Sequence, residues 1–342
     1  MQQIKIGIIG LGKAWEQLHS PAFARLTDKF KITAVCDIDR QKAKSAANTL
    51  GLPHDAVYDD YNKMLMEADI EAVDTMVPIA ENYECAKAAV KRGKHIIAEK
   101  PLAATRKSAK KLISLKEKTD ITMLVAENSR YEEENVIIKN LLEERRIGNP
   151  AYFIDNHVTE FQKDMLNEAS FASAQWRMDA DFTGGVFLDS GVHHVARHRF
   201  LFGGVRTLYA LGRPSEADFA PYSALHAMLT FDNHIAGHYS FFIIGAETQQ
   251  PAVGLRIYGT DGEIYLESKE SGIVHVSTKN GDSEMIAYTP NSGYYHELNN
   301  FYDALRSKKE ITSTPEKAFG DMEVIFSMLE SASADKKLKM AT

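Results

Sequence analysis

Two cysteines, Cys36 and Cys85, are too few in a chain of 342 residues for a disulfide framework, and they suit a reducing compartment. No apolar run approaches the roughly 18 residues of a membrane span. The first residues lack the cationic segment, hydrophobic stretch and cleavage site of an export signal. There is no basic excess either. Forty Lys and Arg against forty-seven Asp and Glu leave a net charge of −7, whereas a nucleic-acid binder usually shows a basic patch. Repeats and low-complexity tracts are absent. Together these gaps exclude collagen-like, disordered, disulfide-rich and membrane classes. What is present, 44% apolar and 25% charged residues, is ordinary for a globular protein. The expectation is a cytoplasmic protein of about two domains, with neither nucleic acid nor a membrane as partner.

The pattern changes part way along the chain. Up to about residue 125, short apolar runs (Ile4 to Ile9, Ile32 to Val35, Ala72 to Val77, His95 to Ala98, Thr122 to Val125) alternate with helical patterns such as Arg40 to Leu50, Glu81 to Arg92 and Thr105 to Lys118. That alternation predicts an α/β domain over 1–125, a parallel sheet covered by helices on both faces. After it, helices are predicted over 132–146 and 185–202. Strand-like runs then follow one another between 205 and 290, separated by turns such as Thr260-Asp261-Gly262. Helical patterns return at 293–307 and 315–333. Residues 126–342 therefore read as an α+β domain with a large, open, mostly antiparallel sheet, its closing helices free to pack back on the first domain.

The first strand runs into Gly10-Leu11-Gly12-Lys13, and a second ends in Ala34-Val35-Cys36-Asp37. A glycine loop between strand and helix, with a carboxylate about 20 residues on, is the pattern of a dinucleotide site. Gly10 permits the tight turn, Gly12 lets a pyrophosphate approach a helix N-terminus, and Asp37 accepts from the ribose hydroxyls. Trp15 stands where a third small residue is usual, so the helix is expected to tilt or stand off the sheet. A carboxylate repels a 2′-phosphate, which favours NAD over NADP, although Arg40 offsets part of that repulsion.

Two further motifs are specific in combination. His95-Ile96-Ile97-Ala98-Glu99-Lys100-Pro101 places Glu-Lys-Pro at a strand's carboxyl end, and Gly184-Gly185-Val186-Phe187-Leu188-Asp189 leads to His193, four residues on. With the glycine loop, they resemble the glucose-fructose oxidoreductase / inositol dehydrogenase / rhizopine-catabolism family (Gfo/Idh/MocA) over nearly the whole chain. The resemblance implies reversible hydride transfer between a nicotinamide and a hydroxyl carbon of a sugar, sugar derivative or polyol. It makes Lys100, Asp189 and His193 the catalytic group, and it adds Lys13, Pro78, Glu99 and Lys100 to the cofactor contacts. The chemistry agrees. A histidine removes the hydroxyl proton at neutral pH, and a lysine ammonium steadies the developing alkoxide. Two positions depart from the family pattern: Asn82 stands where a histidine is common, and Ala196 where an aspartate is.

For substrate contacts the resemblance points to Arg130 and to Gln175-Trp176-Arg177, with His157 and Tyr295 as further candidates. Two arginines suit a phosphorylated or acidic substituent. No metal is expected: His194 and His198 are four apart, but no Glu lies between them as in a zinc peptidase helix. Runs such as Tyr239 to Ile244 are apolar on both faces, so a homodimer or homotetramer through the second-domain sheet is expected. Two alternatives share the fold, a glycosidase using NAD without net redox and a catalytically silent ligand sensor.

Overall fold

A computed structural model describes residues 2–161, 167, 173, 184–215, 220–245 and 253–340. The chain forms two compact units, Met1–Asn128 with Tyr294–Gly320, and Ser129–Gly293 with Asp321–Thr342.

In the first unit, β1 (Ile4–Ile9), β2 (Phe30–Cys36), β3 (Val57–Tyr58), β4 (Ala72–Thr75), β5 (His95–Glu99) and β6 (Met123–Ala126) form one parallel sheet of order β3-β2-β1-β4-β5-β6. Strands β1, β4, β5 and β6 are buried on both faces, which explains their near-continuous apolar runs. The crossover helices are locally encoded. α2 (Arg40–Leu50) starts where the Asp39 side chain accepts from the Gln41 and Lys42 amides, and it stops at Gly51 with φ +67°. The remaining helices here are α1 (Ser20–Ala24), α3 (Tyr61–Glu67), α4 (Asn82–Lys91) and α5 (Arg106–Lys116). Strand order reverses between β1 and β4. In such sheets the crevice outside the carboxyl ends of those strands receives ligands.

The second unit is built on a nine-stranded sheet comprising β7 (Pro150–Val158), β8 (Val205–Pro214), β9 (Tyr222–Phe231), β10 (Ala236–Phe242), β11 (Gly254–Gly259), β12 (Gly262–Leu266), β13 (Ile273–Thr278), β14 (Ser283–Ala287) and β15 (Leu338–Lys339). Its order is β14-β13-β12-β11-β7-β10-β9-β8-β15, antiparallel except for the β7–β10 pair. Strand β7 alternates cleanly: Phe153 and Asp155 are fully buried, while Tyr152 and Ile154 face outward. Register places Ile154 beside His238, and His238 beside Met228. The outward face thus carries an exposed row that includes Tyr152, Ile154, Met228 and Leu211.

Among the described residues of this unit, the helices include α6 (Glu133–Glu143), α7 (Gly185–Asp189) and α8 (Gly191–Phe202). The single helix predicted over 185–202 is broken at Ser190. The Ser190 amide closes α7 on the Val186 carbonyl, and the His193 amide opens the next turn on the Ser190 carbonyl. At the break Gly191 lies close to the sheet; a Cβ there would stand 3.3 Å from the Tyr239 hydroxyl. Two last helices, α9 (Gly293–Ser307) and α10 (Pro315–Ala334), close the chain near its end.

Candidate functional site

The glycine loop begins where β1 ends. Gly10 has φ +89°, and a Cβ on it would lie 2.2 Å from the Met76 carbonyl oxygen, so glycine alone fits. Around the position of a Cβ on Gly12 there is open space to 4 Å among the described residues, as close backbone approach of a ligand requires. Asp37 follows β2 and ties the two strand ends together. Its Oδ2 accepts from the Leu11 amide at 2.8 Å, and its Oδ1 accepts from the Asp39 amide at 2.8 Å. Arg40 pairs with Asp59 at 3.3 Å, both side chains exposed. Lys13 opens the next helix, and Pro78 is exposed beyond β4. The cradle, the open side of Gly12 and the carboxylate beside it fit a dinucleotide. In the helix after the loop, Trp15–His19 form a π-turn before α1.

At the end of β5 lies the Glu-Lys-Pro turn, with a cis peptide bond between Lys100 and Pro101. It is clamped from two sides. The buried Asn82 Nδ2 donates to the Glu99 carbonyl at 3.1 Å and the Pro101 carbonyl at 2.7 Å. That is what the residue in the usual histidine position does here. On the other side, Glu99 Oε2 accepts from the Lys100 amide at 3.0 Å, and Glu99 Oε1 lies 2.9 Å from His19 Nε2. His19 is 0% exposed, and its Nδ1 is 2.7 Å from Asp74 Oδ2. Burial alone would lower its pKa; Asp74 and Glu99 outweigh burial and hold it well above the ordinary histidine value. Beside this group, Glu297 is 0% exposed, and neither carboxyl oxygen has a hydrogen-bond partner among the described residues. Burial pushes its pKa well above the ordinary carboxyl value.

Sequence reasoning missed His19, Asp74 and Glu297. One signal was present: a carboxylate inside the apolar run of β4, which burial penalises unless it is partnered.

In the second unit Asp189 is buried at the end of α7, and His193 is half-buried in the first turn of α8. The helix face behind them meets the inner face of β7. Arg197 Nη2 donates to both oxygens of the fully buried Asp155, at 2.8 and 2.7 Å. His157 Nε2 is 2.9 Å and His198 Nε2 2.5 Å from the same carboxylate. Burial would raise the Asp155 pKa, but Arg197 and the two histidines hold it well below the usual range. His157 stacks on His194 with ring centroids 3.6 Å apart, and His194 Nδ1 bonds the Tyr239 hydroxyl at 2.9 Å. Burial, with the His157 and Arg197 charges, keeps His194 neutral, its pKa well below the ordinary value. Even so, no group of three His, Cys, Asp or Glu among the described residues is arranged to hold a metal.

The other substrate candidates divide. Arg130 is 4% exposed, its Nη2 donating to both Asp321 oxygens at 2.8 and 2.7 Å, and Arg199 bonds the same carboxylate. Tyr295, in the first unit, lies 4.1 Å beneath the Arg25 guanidinium. Arg177 is outside the described residues. Among the described residues no helix is long and apolar enough to cross a membrane.

Two family models cover the chain. Residues 4–127 match the NAD-binding Rossmann fold of the Gfo/Idh/MocA oxidoreductases, and residues 139–340 match their C-terminal alpha/beta domain. The chain belongs to the Gfo/Idh/MocA family. It is an NAD(P)-dependent oxidoreductase by that membership. An uncharacterized protein of Saccharomyces cerevisiae is 27% identical over 344 residues, spanning 97% of each chain. The NADP(+)-dependent D-xylose 1-dehydrogenase of Haloarcula marismortui is 24% identical over 77% of this chain and 72% of its own. Among solved structures, an oxidoreductase of Thermotoga maritima superposes with a TM-score of 0.87 at 27% identity, covering 99% of this chain and 98% of its own.

Proposed function

We propose that this family member is an NAD-dependent dehydrogenase that oxidises a hydroxyl carbon of a sugar, sugar derivative or polyol, with Lys100, Asp189 and His193 as its catalytic residues. The observation that carries the reading is the Glu-Lys-Pro turn. It anchors Lys100 by its own amide at the carboxyl end of β5, in a sheet whose glycine loop fits a dinucleotide. The xylose dehydrogenase relative supports a sugar as substrate. That relative uses NADP(+), so membership of the family leaves the cofactor open, and Asp37 supports NAD. Its carboxylate opposes a 2′-phosphate, and Arg40, the cation nearest in sequence, is already paired with Asp59.

The bound nicotinamide supplies the hydride chemistry. His193 takes the hydroxyl proton on its imidazole, and the Lys100 ammonium donates to the same oxygen as charge develops there. Asp189 orients the imidazole or grips a neighbouring hydroxyl. With Arg130 turned to Asp321, the arginine left for an anionic substituent is Arg177. A homodimer or homotetramer built through the outward sheet face, on the row of Tyr152, Ile154, Leu211 and Met228, completes the proposal.

The test is incubation of the full chain with NAD or NADP and a panel of aldoses, polyols and their phosphorylated or acidic derivatives, followed by absorbance of the reduced nicotinamide. Net reduction that depends on both components, faster with NAD, is expected. Glycoside cleavage without reduction, or cofactor binding without any turnover across the panel, would overturn the reading in favour of a non-redox enzyme or a sensor.

A further inference from the structure

The first unit gathers five ionisable side chains where its sheet reverses order. Asp74 comes from β4, Glu99 from β5, His19 from the π-turn after the glycine loop, and Glu297 from α9; Glu127 follows β6 and adds its charge. Packing alone does not call for this. Each charge taken out of water costs several kcal/mol before any pairing, on the order of what an apolar filling would avoid entirely. The geometry of the group has one consistent direction. From Asp74, through both ring nitrogens of His19, to one oxygen of Glu99 and from its other oxygen to the Lys100 amide, every link is a hydrogen bond of 2.7 to 3.0 Å. The chain ends on the backbone of the residue that bears the ammonium. Opposite it, Asn82 fixes the carbonyls on either side of Lys100.

We propose that His19 is a positioning residue for Lys100: by bridging Asp74 and Glu99 it fixes the carboxylate that holds the Lys100 amide, and so sets where the ammonium stands. The role of Lys100 rests on the dehydrogenase reading; its positioning by His19 does not. The local backbone supports the assignment. A π-turn is a rare departure from the α-helix that recurs at functional sites, and here it spans the five residues ending at His19. Burial raises the Glu297 pKa well above its ordinary value, which opposes a further negative charge beside the bridge, and the Tyr294 ring, 5.2 Å from the imidazole, covers it from α9. A misplacement of a reacting group by about 1 Å is enough to cost up to ~10²-fold in rate, which is the scale on which such a bridge acts.

The experiment uses the full chain as His19→Gln, which keeps a donor but loses the bridge, and Asp74→Asn, which keeps the His19–Glu99 bond. Acetylation of each lysine is followed by peptide mass spectrometry from about pH 6 to about pH 10. His19→Gln is expected to change the Lys100 rate by about threefold or more and move its midpoint, while the exposed Lys42 and Lys91 are unaffected. Asp74→Asn should move Lys100 the same way but less. NADH binding, read by fluorescence, should persist in both, and kcat should fall ~10-fold or more with KM little changed. Lys100 labelling unchanged in a folded variant, or loss of the folded state in both variants by circular dichroism, assigns His19 to structure alone and overturns the proposal. Shifted labelling without turnover of any sugar or polyol by the wild type defeats the dehydrogenase reading and leaves the positioning role standing.

Discussion

Glu134 is the carboxyl whose environment yields the most direct thermodynamic prediction. It is the second residue of α6 and is 1% exposed, and its Oε2 has no hydrogen-bond partner among the described residues. Burial, and after it the Glu132 charge, raises its pKa from 4.5 to about 7. A carboxyl whose folded pKa lies above its unfolded one binds more protons folded than unfolded, so its contribution to stability falls as pH rises from about 4.5 through about 7. At about 1.4 kcal/mol per unit, the full penalty above pH 7 is about 3 kcal/mol; between pH 5 and pH 8.5 it grows by about 2.5 kcal/mol. Glu134→Gln removes the ionisation and keeps the shape. In urea unfolding followed by circular dichroism, the stability of the variant relative to wild type should therefore rise by about 2.5 kcal/mol over that interval. The amide adds donors that need partners, so at pH 5 the variant starts level with or slightly below wild type. Because the prediction concerns the difference between two chains, the titrations of His19, Asp155 and His194 cancel. A relative stability that stays flat with pH, or a Glu134 carboxyl carbon that titrates near 4.5 by NMR, would refute the reasoning.

Asp37→Ser should weaken NAD binding ~10-fold and improve NADP binding, because it removes ribose acceptors and a repulsive charge; fluorescence titration that finds wild type already preferring NADP would show that Arg40 dominates. Arg197→Met leaves the buried Asp155 carboxylate without its main counter-charge and should cost ~3–5 kcal/mol in chemical unfolding; a loss under ~1 kcal/mol would mean that His157 and His198 suffice. His193→Asn and Lys100→Met should each lower kcat ~10²–10⁴-fold, and the double variant much less than the product, since both act on one hydroxyl; near-wild-type turnover in either removes that residue from the mechanism. Light scattering should report at least twice 38.2 kDa, and Met228→Lys combined with Ile154→Lys should lower it; a wild-type monomer at micromolar concentration would sink the shared-sheet proposal.

Features set by short-range rules were legible in the residues. The alternation of apolar runs and helical patterns announced a parallel sheet, and Gly10 with Asp37 marked the loop at its centre. The Glu-Lys-Pro and Asp189–His193 motifs pointed to the family that both domain matches show. Those signals depend on periodicity and on residue types a few positions apart, which a sequence displays directly. What tertiary structure alone decided lies in pairs distant along the chain. His19 meets Asp74 and Glu99 across 55 and 80 residues, and Arg130 meets Asp321 across 191. An arginine near a strand end and a histidine on a helix look alike in sequence whether they face a ligand or a buried carboxylate. Only the fold brings up the partner, and the cost of leaving a buried charge unpaired then selects which way each side chain turns. The helix break at Ser190 has the same origin. Its residues carry no strong breaker signal beyond Gly191, and the close approach of that glycine to Tyr239 exists only once helix and sheet are packed.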